Sequence, residues 1–126
     1  MEWWLSLLLL LAMTMQGEAE VLDSDAAALA VGEVAANRAR AFDCGLQQSL
    51  LEGFYGWQRV SRLDVKQRYL DLAERFLNGG HVWDHQALFM LSADDLEAMG
   101  GVVAPPLKHY RKGRWAVYLF EEWPRR

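Results

Sequence analysis

Phe76-Leu77-Asn78-Gly79-Gly80-His81-Val82-Trp83-Asp84-His85-Gln86-Ala87-Leu88-Phe89-Met90-Leu91-Ser92-Ala93-Asp94-Asp95-Leu96-Glu97-Ala98-Met99-Gly100 carries the strongest structural signals of this chain. A loop feeds a short apolar turn, and a Ser-x-x-Asp box then opens a short helix. Ser92 can accept from the Asp95 amide while the Asp95 carboxylate reaches back to the Ser92 amide. Asp94 and Asp95 place negative charge at the positive end of the helix dipole. Leu91, Leu96 and Met99 bracket the box with apolar anchors, and Gly100-Gly101 can supply a left-handed stop. Two short helices joined this tightly need other helices around them to bury their apolar sides.

The periodicity on both sides of this stretch reads as helical. Ser61-Arg62-Leu63-Asp64 is a second capping box, opening a helix whose buried stripe is Val65, Tyr69, Leu72 and Phe76. Asn78-Gly79-Gly80 ends it. Downstream, Pro105-Pro106 is expected to start a long last helix, with Leu107, Tyr110, Val117 and Phe120 inward and Gly113 as a local weakness. Upstream, Asp23-Ser24-Asp25 caps an Ala-rich helix running to Phe42, and Cys44-Gly45 closes it. Its side chains are small, so it is expected to bury little and to act as a spacer or docking element. Leu46, Leu50, Phe54 and Trp57 repeat at helical spacing. No stretch alternates like a strand, and no repeat or Gly/Ser linker divides the chain. The expected fold class is all-α.

The N-terminus has its own character. Trp3–Met15 is an apolar run of thirteen residues broken by Gln16-Gly17-Glu18-Ala19-Glu20. A spanning helix needs about 20 apolar residues, so the run is short for a permanent anchor. Gly17-Glu18-Ala19 is compatible with cleavage after Ala19, although Glu2 stands where a basic residue is usual. Residues 1–19 are therefore expected to be a signal peptide or a short membrane anchor. A buried helix packed on the domain is the third reading. An export signal would place the protein in a secretory, periplasmic or organelle-lumenal space, and a retained anchor would tether it to a membrane.

The 126 residues suffice for one modest core. At 52% apolar and 12% aromatic the chain is too rich for disorder. Charge is uneven: residues 1–56 carry eight acids and two bases, a net of −6, and residues 57–126 carry nine acids and eleven bases, a net of +2. That excess is too small to point to nucleic acid. Cys44 is the sole cysteine, so no internal disulfide forms, and a small buried hydrophobe is its expected role. His81 and His85 stand four apart, a spacing two metal ligands can use on a helix, and a metal-binding protein is one alternative reading. A third ligand is missing, since Asp84 does not share that face. No phosphate loop, nucleophile elbow or paired-carboxylate site is present, and neither a catalytic residue nor a cofactor is expected.

Residues from about 61 to 123 resemble a sterile alpha motif (SAM) domain, a five-helix interaction bundle. The matching residues are Phe76, Val82-Trp83, and the ungapped run Leu88-x-x-Leu91-Ser92-x-x-Asp95-Leu96-x-x-Met99-Gly100. The chain is thus expected to divide into a helical N-terminal extension over residues 20–57 and a SAM-like domain over 58–126. The resemblance implies a non-enzymatic protein-interaction module with an acidic central face, here Asp84, Asp94, Asp95 and Glu97. A basic face would lie at the start of the last helix, here Lys108, Arg111, Lys112 and Arg114. Complementary patches would support head-to-tail self-association or a hetero-partner, with charge setting encounter and register. A small accessory subunit of a membrane complex, anchored by residues 3–15, is the other alternative.

Overall fold

A computed structural model describes residues 2–79, 85–100 and 105–124. The chain is not all-α. Among the described residues, five α-helices and a three-stranded antiparallel sheet follow in the order α1 (Glu2–Ala19), α2 (Asp25–Ala41), α3 (Leu46–Gly53), α4 (Gln67–Leu77), β1 (Phe89–Ser92), α5 (Ala93–Ala98), β2 (Lys108–Lys112) and β3 (Trp115–Phe120), with α2 and α5 against the sheet. The strand order is β1-β3-β2, with β3 in the middle. Met90 lies opposite Leu119, and Tyr110 opposite Val117.

The expected last helix is a β-hairpin instead. Lys112 pairs with Trp115 across a two-residue turn, and Gly113 holds a φ of +59° at its first central position. Glycine enters that conformation without a Cβ penalty, and such a turn follows the twist of its strands. Trp115-Ala116-Val117-Tyr118-Leu119-Phe120 is a continuous apolar run because β3 is covered on both faces. Val117 and Leu119 enter the main core, while Tyr118 and Phe120 line a pocket with Ala93, Leu96 and Pro106. Leu107, expected inward, is exposed. The five-helix bundle implied by the SAM resemblance is thus replaced, after α4, by a sheet carrying one short helix.

The Ser92 box forms as the sequence specifies. Ser92 Oγ accepts from Asp95 N at 3.1 Å, Asp95 Oδ2 accepts from Ser92 N at 3.1 Å, and Gly100 takes the left-handed φ of +84°. Ser24 likewise caps α2 by accepting from Ala27 N at 3.1 Å. Ser61 caps only a 3-10 turn, Arg62–Asp64, and α4 begins later, at Gln67. Tyr69, Leu72 and Phe76 are buried as expected.

The Ala-rich helix is a correction of the opposite kind. Every residue from Ala27 to Ala35 in α2 is buried. Small side chains let neighbouring elements approach its backbone, and a Cβ on Gly32 would stand 2.8 Å from the Phe76 ring. Helix α1 is also interior: Leu11, Ala12, Thr14 and Met15 are fully buried, and the core runs unbroken from Leu11 to Leu119. Gln16 joins α1 to the start of α4, donating to Asp64 O at 3.2 Å and accepting from Lys66 N at 2.9 Å. Among the described residues, no helix is long and apolar enough to cross a membrane. Cys44 is half-buried, on the surface between α2 and α3.

Candidate functional site

The sheet, the end of α1 and the loop after α3 enclose two adjoining cavities. The first holds about 460 Å³, and its lining includes the apolar Leu22, Met90 and Val117 and the charged Arg59, Asp94 and Arg114. The second holds about 540 Å³ and is lined by Phe89, Met90 and Leu91 of β1 together with Arg38, Phe54, Met99 and Trp123. Glu18, Arg59, Met90 and Asp95 line both, so the two form one trench. Each volume lies in the range of ligand-binding clefts.

Most polar groups along this trench hold the fold in place. Glu18 Oε1 accepts from Gly56 N at 2.8 Å and Tyr55 N at 3.2 Å, fixing the loop after α3 to α1. Arg38 Nη1 donates to Leu88 O at 3.1 Å, and its guanidinium lies over the Phe89 ring at 5.2 Å and the Phe42 ring at 5.4 Å. Burial pushes its pKa below the ordinary arginine value, yet a guanidinium stays charged. Asp95 is held by its capping box. Arg59 and Arg114 differ: no ion pair links either to a described residue, and Arg114 rests its guanidinium 4.8 Å over the Trp115 ring.

The residues expected to form two separate patches are distributed otherwise. Asp94, Asp95 and Arg114 share the first cavity. Glu97 is exposed on α5, outside the trench. Arg111 donates to Tyr118 Oη at 3.0 Å, and Lys112 Nζ meets Asp23 Oδ2 at 3.2 Å. Lys108 sits 5.5 Å over the Tyr110 ring. The four bases belong to a hairpin rather than to the start of a helix. Asp84 and His81 lie outside the described residues.

His85 belongs to a buried cluster that periodicity did not disclose. Its Nε2 stands 3.2 Å from Glu33 Oε2, with both side chains more than nine-tenths buried. Its Nδ1 accepts from Ala87 N at 3.2 Å. Asn37 Nδ2 donates to Ala87 O at 3.0 Å and Arg40 donates to Asn37 Oδ1, so α2 fastens the chain entering β1. Both imidazole nitrogens thus face groups of this chain, and a metal would have to displace one of them. No group of three or more metal-ligating side chains occurs among the described residues. A lone acid and an asparagine inside an otherwise Ala-rich helix were the available signals for this cluster.

Comparison with family models, with curated proteins and with solved structures returns no match to this chain.

Proposed function

We propose that this protein is a non-enzymatic interaction module that binds a protein partner in the trench beside β1. One observation carries the reading: two adjoining cavities, partly apolar, share Glu18, Arg59, Met90 and Asp95 in their lining, and the guanidiniums of Arg59 and Arg114 in the first have no carboxylate partner among the described residues. His85, Glu33 and Ser92 are engaged in holding the chain. An apolar cleft with a charged rim suits recognition through a few anchored side chains, the usual energetics of protein interfaces.

A photoreactive phenylalanine analogue placed at Tyr55 or Met99, both on the trench, tests this in the cells that make the protein. The same group at Gln47, exposed on α3, is the control. The expected result is a discrete covalent adduct from the trench positions and none from Gln47. Equal labelling from all three positions, or none from the trench, would overturn the reading.

A further inference from the structure

The hairpin that replaces the expected last helix leaves one edge of the sheet uncovered. In the order β1-β3-β2, β2 is the outer strand, and no strand lies beyond it among the described residues. Lys108, His109, Arg111 and Lys112 are exposed, and Tyr110 is half-buried. Lys112 and Trp115 flank a two-residue turn, so that pair bonds main chain to main chain, and every second residue of β2 follows it. The N–H and C=O groups of His109 and Arg111 therefore point away from β3, along the open edge.

Side chains alternate across the same strand. Lys108, Tyr110 and Lys112 share the face of Val117 and Leu119. His109 and Arg111 lie on the opposite face, where His109 stacks on Tyr118 with ring centroids 5.8 Å apart and Arg111 Nη2 donates to Tyr118 Oη at 3.0 Å. A guanidinium carries five donors, so Arg111 keeps donors for a carboxylate. A strand laid along this edge would meet a base on each of its faces.

Charge selects the occupant. From Gly101 to Phe120 the sequence holds Lys108, Arg111, Lys112 and Arg114 and no acid. Two carboxylates reach β2 from elsewhere. Asp23 meets Lys112 at 3.2 Å but is shared with Arg68, and Glu121 lines a pocket with Lys108. Arg111, at the centre of the open edge, makes no ion pair with a described residue. A second copy of β2 would set base against base across the new ladder, and like charges directly opposite are destabilising. An acidic strand reverses the sign of those pairs. Nucleic acid carries the right charge but has no peptide edge to complete the ladder.

We propose that the free edge of β2 takes an extended acidic segment of a partner protein as a fourth strand. Its main chain bonds at His109 and Arg111, and its carboxylates stand against Arg111 on one face and the lysines on the other. Main-chain pairing supplies affinity, and the charges set which segment is accepted. This surface is separate from the trench, whose lining includes no residue of β2.

Fluorescent eight-residue peptides, capped at both ends and titrated into the full chain, test it by anisotropy. One alternates valine with glutamate, and a second alternates valine with lysine. A third repeats the glutamate peptide with N-methyl groups on alternate backbone nitrogens, made in both registers. The glutamate peptide should bind at least tenfold more tightly than the lysine peptide, and the double variant Lys108→Glu/Arg111→Glu should cancel that preference. N-methylation should weaken binding at least tenfold in one register and spare the other, because only alternate amides of an added strand face β2. That comparison leaves the protein untouched, so it stands even where the double variant folds poorly. Equal binding of the glutamate and lysine peptides, indifference to N-methylation in both registers, or no binding by any peptide would overturn the proposal. So would an eight-nucleotide single strand of DNA that binds as tightly as the glutamate peptide. Loss of glutamate-peptide binding in Arg59→Glu with full binding in the double variant would place the peptide in the trench and overturn the edge assignment alone. Adducts from Tyr55 and Met99 are read separately, so the trench reading stands or falls without this one.

Discussion

Replacing Gly17 with alanine should unfold a large part of this protein's stability margin. A Cβ built on Gly17 falls 2.0 Å from Gly56 O and 2.6 Å from Gly56 Cα, and a Cβ on Gly56 falls 2.8 Å from Thr14 O and Glu18 N. The three atoms nearest the Gly17 Cβ are all backbone, so no side chain there can rotate away. To restore an ordinary contact of about 3.4 Å, α1 and the turn at Gly56 must separate by about 1.4 Å. Such a shift carries the 2.8 Å and 3.2 Å bonds from Gly56 N and Tyr55 N to Glu18 Oε1 beyond hydrogen-bonding range. Bonds to a charged acceptor contribute about 1.5–3 kcal/mol each, so losing two costs about 3–6 kcal/mol. A chain of 126 residues holds roughly 6–19 kcal/mol in all.

Thermal unfolding followed by circular dichroism reads the effect directly. At about 4 °C per kcal/mol for this size, Gly17→Ala should lower Tm by about 12–24 °C. Gly56→Ala should do the same, and the double variant should cost less than the sum, since one separation accommodates both methyl groups. A Tm within about 2 °C of the parent for Gly17→Ala would refute the packing of α1 against this turn. It would be the outcome if residues 1–19 were absent from the mature chain or lay in a membrane.

Two further perturbations probe the polar anchors. Glu33→Leu or His85→Leu alone should each cost about 3–5 kcal/mol in chemical denaturation, because each strands a buried polar partner, while the double variant should recover at least 2 kcal/mol of the sum; strict additivity would show that the pair is not coupled. Arg68 and then Lys112 hold the Asp23 carboxyl below its usual range. A depressed folded-state pKa gives stability that is complete above about pH 4 and is lost as pH falls through the folded value. Asn keeps the left-handed φ of Asp23 while removing the charge, so Asp23→Asn should flatten the acid limb of stability below pH 4 and leave the slope near neutrality unchanged. An acid limb identical to the parent's would locate the titration elsewhere.

The caps were legible in the sequence because their chemistry is local. Ser92 with Asp95, Ser24 and Gly100 each act within a few residues of themselves, and each forms as expected. Strand β3 was not legible from periodicity, for a physical reason. A strand covered on both faces is a continuous apolar run, and over Trp115–Phe120 such a run also satisfies a helical face through Val117 and Phe120. The discriminating signals were the β-formers Trp115, Val117, Tyr118 and Phe120, and a glycine two residues before them acting as a turn rather than as a helix defect. The depth of α2 was hidden because alanines have small moments whether buried or exposed; what they contribute is close approach. The trench was illegible altogether. It is assembled from the ends of α1, α3 and α5, and no spacing along the chain records that Arg59 and Arg114 meet one cavity.

That assembly binds the N-terminal helix to the candidate site. Glu18 lines both halves of the trench, and the same carboxylate oxygen fixes the amides of Tyr55 and Gly56, which place Phe54 and Arg59 on the walls. Gln16 fixes the chain entering α4 in the same manner. A cut after Ala19 would remove Glu18 and open the Gly17–Gly56 contact. The cleft would lose one end and the anchor of one wall together. Whatever delivers this protein to its compartment, the trench beside β1 exists only in a chain that keeps α1 folded against the turn at Gly56. Loss of Tm and loss of trench-dependent adducts must therefore track each other across substitutions in that contact.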